Sequence, residues 1–170
     1  VKPLTLHDKV SFAEFIGPVV VDWFVSHYWG SPFATFCTTL QKHATALHGH
    51  RDRDTLGYWV CSLSNNQHHV AEEMGDSPDN SSFYFAMMAS TCVGTCLVLD
   101  EQALPLTRSW CLFELVKSMQ REQEDTERGD YQGLQFCTDT GVMSLGQATA
   151  DATLNISKTL AQLRLQDAHA

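Results

Sequence analysis

Four short apolar runs alternate with longer amphipathic segments along this chain, and this alternation restricts the fold more than any other feature. The runs are rich in Val, Leu and Cys, as expected for buried strands of a parallel sheet, and they cover residues 19–25, 58–63, 92–99 and 133–138. Strands separated by helices pair in parallel through right-handed crossovers. The sequence therefore predicts an α/β fold with helices on both faces of the sheet.

The segments between the runs have helical periodicity with recognisable ends. The predicted helices cover about residues 33–47, 82–88, 109–128 and 148–165. Residues 1–18, which stop at Gly17-Pro18, are interpreted as a helical lead-in, and residues 19–170 as one domain. A fifth strand is not evident, so the sheet is expected to have four or five strands. Because the sequence begins with Val1 rather than Met, we expect the domain to come from a longer protein.

The bulk composition argues against two classes of partner. The formal net charge of -9 and the pI near 5.2 disfavour binding of nucleic acid through its phosphates. No run approaches the roughly 18 consecutive apolar residues of a membrane span, and no signal peptide is evident. We therefore expect a cytoplasmic protein with no membrane and no nucleic-acid partner.

The cysteines and paired histidines do not predict a metal site. Four cysteines lie inside apolar runs, where a thiol behaves as a small hydrophobic side chain: Cys61, Cys92, Cys96 and Cys137. No CxxC pair is present, and His48 with His50 has no evident third ligand nearby. The adjacent His68-His69 is a poor metal pair, because neighbouring side chains on a strand or helix point apart. Reduced, buried thiols are favoured over disulfides.

The stretch from Thr107 to Val116 carries the densest chemistry. Apolar residues in and after it line one side of a helix: Leu112, Leu115, Val116 and Met119. Glu114 lies in the first turns, where the helix dipole favours a carboxylate. Ligands of open α/β sheets bind outside the carboxyl ends of the strands, so Glu114 and Trp110 are predicted at the ligand edge. A solvated helix-start acid and a core tryptophan are the alternatives.

Two other loops are predicted at the same edge. The loop after the first run offers a hydroxyl, an imidazole, two aromatic faces and a turn, from Ser26, His27, Tyr28, Trp29 and Gly30. The loop after the second run offers the amides of Asn65 and Asn66. These side chains are candidates for binding a small polar ligand.

Three pieces of the sequence together resemble the Toll/interleukin-1 receptor (TIR) domain family. They are Phe24-Val25-Ser26-His27-Tyr28-Trp29, Ser62-Leu63-Ser64-Asn65-Asn66-Gln67, and Leu97-Val98-Leu99 followed by Arg108 to Leu115. The most specific piece, Ser109 to Leu115, is similar to the Ser-x-Trp-Cys-Leu-x-Glu-Leu motif of plant-type TIR domains, one residue shorter at its start. The first piece is similar to a divergent branch with a Ser-His-x-Trp ending to the first strand.

This resemblance implies a flavodoxin-like three-layer sandwich and, in enzymatic members, cleavage of NAD+ with release of nicotinamide. NAD+ is then a substrate, and no cofactor is expected. The motif acid falls on Glu114, which would be catalytic, with Trp110 and Cys111 near the substrate and Ser26 to Gly30 lining the nucleotide pocket. Two features depart from the family: the loop after the second strand lacks the usual Gly-containing pattern, and the first loop lacks the basic residue of many plant members.

The implied chemistry needs few groups. A carboxylate beside the ribose stabilises an oxocarbenium-like transition state, and aromatic faces stack on a cationic pyridinium or on adenine. Three hypotheses remain open from the sequence. The first is an NAD+ glycohydrolase that gives ADP-ribose or a cyclic product in signalling or defence. The second is a TIR-like module that only self-associates, and the third is a nucleoside deoxyribosyltransferase-like enzyme.

Overall fold

The computed structural model describes residues 1–47, 55–125 and 129–162. Within these ranges one sheet has five strands, β1 (Trp23–Ser26), β2 (Tyr58–Val60), β3 (Gly94–Val98), β4 (Leu134–Thr138) and β5 (Gly141–Val142). Their order is β2-β1-β3-β4-β5, with β5 antiparallel to β4 and the other pairs parallel. This is the flavodoxin-like strand order, and it confirms the predicted fold class.

The helices of the described ranges are α1 (Lys2–Thr5), α2 (Phe12–Ile16), α3 (Phe33–Ala46), α4 (Cys61–Ser64), α5 (Val70–Met74), α6 (Ser82–Met88), α7 (Ser109–Glu124) and α8 (Ala150–Gln162). Helix α3 packs on one face of the sheet, while α6, α7 and α8 cover the other. Three parts of the sequence-based prediction lie outside the described residues. They are the pair His48 and His50, residues 126–128 of the third predicted helix, and the last predicted helix after residue 162.

Strand β1 is shorter than predicted and begins at Trp23 rather than Val19. Its neighbours begin level with Trp23, at Tyr58 of β2 and Gly94 of β3. Asp22 still exchanges backbone hydrogen bonds with Gly57 and Val93. Val19 and Val20, further back, have no paired strand among the described residues and are 71% and 65% exposed. The Asp22 carboxylate accepts a hydrogen bond from the Gly57 N–H, which links the starts of β1 and β2. Hydrophobicity alone could not give this register.

Strand β2 is likewise shorter than the predicted run, because the chain turns into α4 at Cys61. The Ser64 hydroxyl accepts a hydrogen bond from the Val60 N–H, which stabilises the turn at the strand end.

The helical lead-in divides into α1 and α2, and α2 begins with a capping box between Ser11 and Glu14. Its apolar residues Phe15 and Ile16 are mostly exposed.

Helix α7 buries a face that only partly matches the predicted one, on which Leu115 packs against the core. Its most buried side chains are Cys111, Glu114 and Ser118, spaced i, i+3 and i+7, whereas Val116 and Met119 are about half exposed. Glu114 and Ser118 are held by hydroxyl groups of the sheet, since Ser26 donates to Glu114 and Ser118 donates to Thr95. Glu114 and Ser118 are therefore buried on the side of α7 that the apolar pattern predicts to face solvent.

Arg121 joins α7 to the end of α6 and the start of β3. Its guanidinium donates hydrogen bonds to the backbone carbonyls of Met87, Ala89 and Cys92, and lies over the Tyr131 ring at 4.5 Å. Charged hydrogen bonds of this kind stabilise more than neutral ones, and their loss leaves carbonyls without a donor.

Replacing Arg121 by Leu is expected to lower the free energy of unfolding by about 3 kcal/mol, measured by urea denaturation. Lys117→Leu is the matched control on the same helix. Lys117 pairs with Asp79, whose side chain is 60% exposed, and lies over the Tyr84 and Phe113 rings; exposed contacts of this kind stabilise less than the carbonyl contacts of Arg121. Equal losses in the two variants would show that the carbonyl contacts of Arg121 do not stabilise the fold.

Candidate functional site

A cavity of about 190 Å³ lies where β1 ends and α7 begins. Its walls are mostly apolar and include six residues predicted from the sequence: His27, Tyr28, Trp29, Trp110, Cys111 and Glu114. This is the carboxyl edge of the sheet, next to the switch in strand order between β1 and β3, where ligands of such folds bind.

Glu114 is only 4% exposed, yet its side chain reaches the cavity. Its Oε2 accepts a hydrogen bond from the Ser26 hydroxyl at 2.5 Å. Among the described residues, no basic side chain forms an ion pair with it. The carboxyl group is therefore held in place by a neutral donor and is not neutralised by a cation.

Burial raises the pKa of Glu114 from the usual 4.5 to about 8, and the Ser26 hydrogen bond lowers it in part. Taking a carboxylate out of water disfavours its charged form, so at pH 7 the group is mainly a neutral acid. A nearby cation would reverse this balance. The helix dipole acts mainly on the first turn, and Glu114 lies beyond that turn of α7. Its predicted effect on the Glu114 pKa is therefore outweighed by the effect of burial.

Ser26→Ala is expected to raise the pKa of Glu114 further, by about one unit, because the hydroxyl donates to the charged form. The carboxyl carbon of Glu114 can be followed directly by NMR as pH changes. Ser82→Ala is the control, since that hydroxyl donates to Asn65 instead. An unchanged titration in Ser26→Ala would contradict the assigned hydrogen bond.

Aromatic rings frame the cavity. Trp110 stacks on Phe83, with ring centroids 5.6 Å apart and an interplanar angle of 24°. The Trp29 indole N–H donates to Cys61 Sγ at 2.9 Å, although the side chain is 63% exposed. Gly30 does not line the cavity, but a Cβ there would meet the Tyr28 ring at 2.5 Å. A glycine at position 30 thus leaves room for Tyr28 at the cavity wall.

His27 and Cys111 are poor candidates for acid–base or nucleophilic chemistry. Burial lowers the pKa of His27 to about 4, so the ring is neutral, and within the described structure its Nδ1 has no hydrogen-bond partner. Burial, followed by the charge of Glu114, raises the pKa of Cys111 to about 12. A thiol that stays protonated is a weak nucleophile. Glu114 is therefore the wall residue whose protonation is poised near neutral pH.

The predicted amides of Asn65 and Asn66 are not among the residues that line the cavity. Asn65 is buried and its Oδ1 accepts a hydrogen bond from the Ser82 hydroxyl. Asn66 donates to the Lys9 carbonyl and so ties the lead-in to the domain. Both amides serve structural contacts because the chain turns into α4 directly after β2, which carries them away from the carboxyl edge.

Sequence reasoning missed several wall residues, namely Val25, Cys61, Met74, Phe83 and Arg108. Arg108 immediately precedes α7 and is the one Lys or Arg among the described lining residues. Its position at the start of the motif was a usable signal. Met74 and Phe83 lie on the separate helices α5 and α6, and nothing in their sequence spacing indicates a shared cavity.

Comparisons of the chain with protein families, with curated proteins and with solved structures found no match. Among the described helices, none has the length and apolarity needed to cross a membrane. The function must therefore be argued from the geometry of the site.

Proposed function

We propose that this chain is a TIR-like NAD+ glycohydrolase, which cleaves the bond between nicotinamide and ribose and gives ADP-ribose or a cyclic product. The observation that carries the proposal is the Glu114 carboxyl group, which lines a ring-sized aromatic cavity without an ion-pair partner in the described chain. Burying a carboxyl group without a charged partner costs free energy, and acids with strongly shifted pKa values concentrate at functional sites.

The positive charge of the substrate complements the Glu114 carboxyl group, which has no ion-pair partner among the described residues. The nicotinamide ring of NAD+ is positively charged, and its entry beside Glu114 favours the carboxylate over the neutral acid. The aromatic walls, Trp29 and Trp110 among them, suit the flat cationic ring. Binding of substrate and ionisation of Glu114 are thus coupled.

Bond cleavage then follows from the charges. Nicotinamide leaves as a neutral molecule with the electron pair of the C–N bond, and positive charge develops on the ribose. The Glu114 carboxylate stabilises that charge or orients the ribose hydroxyls, and water or another nucleophile completes the reaction. Ser26 holds the carboxyl group in place through its hydrogen bond.

The cavity volume limits how much of the dinucleotide it encloses. At about 190 Å³ it is smaller than the roughly 300 Å³ and above of typical small-molecule sites. We infer that it takes the nicotinamide end, while the diphosphate lies near Arg108 and the start of α7, where backbone N–H groups favour anions. The adenosine end would lie outside the cavity.

The test is to incubate concentrated protein with NAD+ and to measure nicotinamide by chromatography, with Glu114→Ala as the control. The expected result is release by the wild-type chain that increases with protein concentration and is absent in the variant. Release that persists in Glu114→Ala would remove this residue from the mechanism. No release at any protein concentration would refute the glycohydrolase.

A non-catalytic TIR–TIR interaction module is the second candidate. It is favoured by a group of exposed apolar residues close together in the chain, namely Phe15, Ile16, Val19 and Val20. A domain that pairs with its own kind would cover such residues. Self-association detected by light scattering, together with no nicotinamide release, would select this function over the enzyme.

A further inference from the structure

A second group of chemically active side chains lies on the opposite face of the sheet from Glu114. His43 of α3, Cys96 of β3 and Cys137 of β4 are all 0% exposed. One donor atom from each, a ring nitrogen and two Sγ atoms, lies within 4.8 Å of the other two. These residues are remote in sequence, so the spacing rules that predict metal sites from cysteine pairs do not detect them.

The distances suit a single bound cation. Three atoms that are pairwise within 4.8 Å lie within about 2.8 Å of a common centre, against typical zinc distances of about 2.3 Å to sulfur and 2.0–2.1 Å to nitrogen. Movements of about 0.5 Å for each sulfur atom and about 0.7 Å for the ring nitrogen bring the three donors into range. The backbone register of β3 and β4 does not need to change.

Two buried polar atoms beside this group, His43 Nε2 and Gln135 Oε1, make no hydrogen bond of good geometry within the described residues. The Gln135 side chain nevertheless lies close enough to the His43 ring to act on its pKa as a weak acceptor, so it is already turned toward the place of a cation. Buried polar atoms without partners are rare in folded proteins, and each needs an explanation. Tyr58 engages His43 Nδ1 at 2.7 Å, which leaves Nε2 for a cation and fixes the ring as outer-shell partners of metal-bound histidines do.

We propose that His43, Cys96 and Cys137 form a structural site for a thiophilic divalent cation, with Zn²⁺ as the ion to test and Gln135 Oε1 as the fourth donor. Two sulfur donors and one imidazole select zinc-like ions over Mg²⁺ or Ca²⁺. Binding releases the two thiol protons to solvent, and the two thiolates balance the charge of the cation. The site is closed on all sides, so its role is stability and the ion enters during folding.

The test is to refold the full chain from denaturant with Zn²⁺ or Co²⁺, to remove free metal by gel filtration, and to measure metal per chain. The expected result is one tightly held ion, a sulfur-to-cobalt charge-transfer band, and a higher melting temperature than for protein refolded with a chelator. A wild-type chain that holds no metal, or mass spectrometry showing a Cys96–Cys137 disulfide instead, would overturn the proposal.

Variants separate this site from nonspecific thiol binding. Cys96→Ala/Cys137→Ala is expected to lose the ion, and Cys92→Ala, which removes a buried cysteine outside the group, is expected to keep it. Equal metal content in these two variants would contradict the assignment. If the double variant does not fold, the metal content and cobalt spectrum of the wild-type and Cys92→Ala proteins decide the question.

Discussion

Replacing Glu114 by Gln is expected to lower the rate of nicotinamide release by about a hundredfold to a thousandfold at saturating NAD+. Glutamine keeps the size of the side chain and can still accept a hydrogen bond from Ser26, but it cannot carry the negative charge that the developing ribose cation requires. Loss of one preorganised electrostatic group in a buried site typically has an effect of this size. The measurement is kcat, followed by nicotinamide release, with circular dichroism to verify the fold.

Glu124→Gln is the matched control for this experiment. Glu124 is exposed on the same helix, ten residues further along, and does not line the cavity. Its replacement is expected to leave kcat within about twofold of the wild type, since an exposed charge is screened by solvent. Equal activity of the Glu114→Gln and wild-type proteins would exclude catalysis by the Glu114 carboxylate, whatever the control shows.

Glu114→Gln is also expected to stabilise the protein, and the gain in the free energy of unfolding is expected to increase as the pH rises. The pKa of Glu114 is raised from 4.5 to about 8 on folding, so between these pH values the folded state binds more protons than the unfolded state. Stability from this group is fully present below pH 4.5 and is lost as the pH rises through about 8. The free energy of unfolding of Glu114→Gln relative to wild type should therefore increase by about 4 kcal/mol between pH 4.5 and pH 8.5.

Urea denaturation of both proteins across this pH range measures the difference directly, because contributions from other groups cancel. Glu14→Gln gives a contrasting control, since hydrogen bonds with Ser11 lower the pKa of Glu14. Its stabilising effect is present above pH 4.5 and is lost only at lower pH, so the difference from wild type should be flat from pH 5 to pH 8. A flat profile for Glu114→Gln as well would contradict the buried, uncompensated carboxyl group.

The fold was largely predictable because strand and helix patterns alternate cleanly. The pattern could not predict where strands begin and end, because that depends on the partner strand: Val19 and Val20 are apolar but have no paired strand within the described ranges. The two-residue β5 is too short to leave a periodic signal and is formed by the turn after Thr138, whose hydroxyl accepts a hydrogen bond from the Gly141 N–H. Tertiary pairing overrides local pattern at these positions.

The site was predictable only where one stretch of sequence carries it. Glu114 and Trp110 belong to a single helix start, and the loop after β1 follows from the strand pattern. Asn65 and Asn66 were assigned to the ligand edge because the early end of β2 was not visible in the sequence. The polar inner face of α7 was also missed, because Glu114 and Ser118 are buried through hydrogen bonds to Ser26 and Thr95, which hydropathy does not register.

In the proposed mechanism the Glu114 carboxyl group meets the ribose of NAD+ inside the cavity between β1 and α7. The most direct measurement is a crystal structure of this chain with a non-cleavable NAD+ analogue. The nicotinamide ring is expected between the aromatic walls, with the Glu114 carboxyl group within hydrogen-bond distance of the adjoining ribose. An analogue bound elsewhere on the chain, with the cavity closed and Glu114 still bonded only to Ser26, would contradict this mechanism.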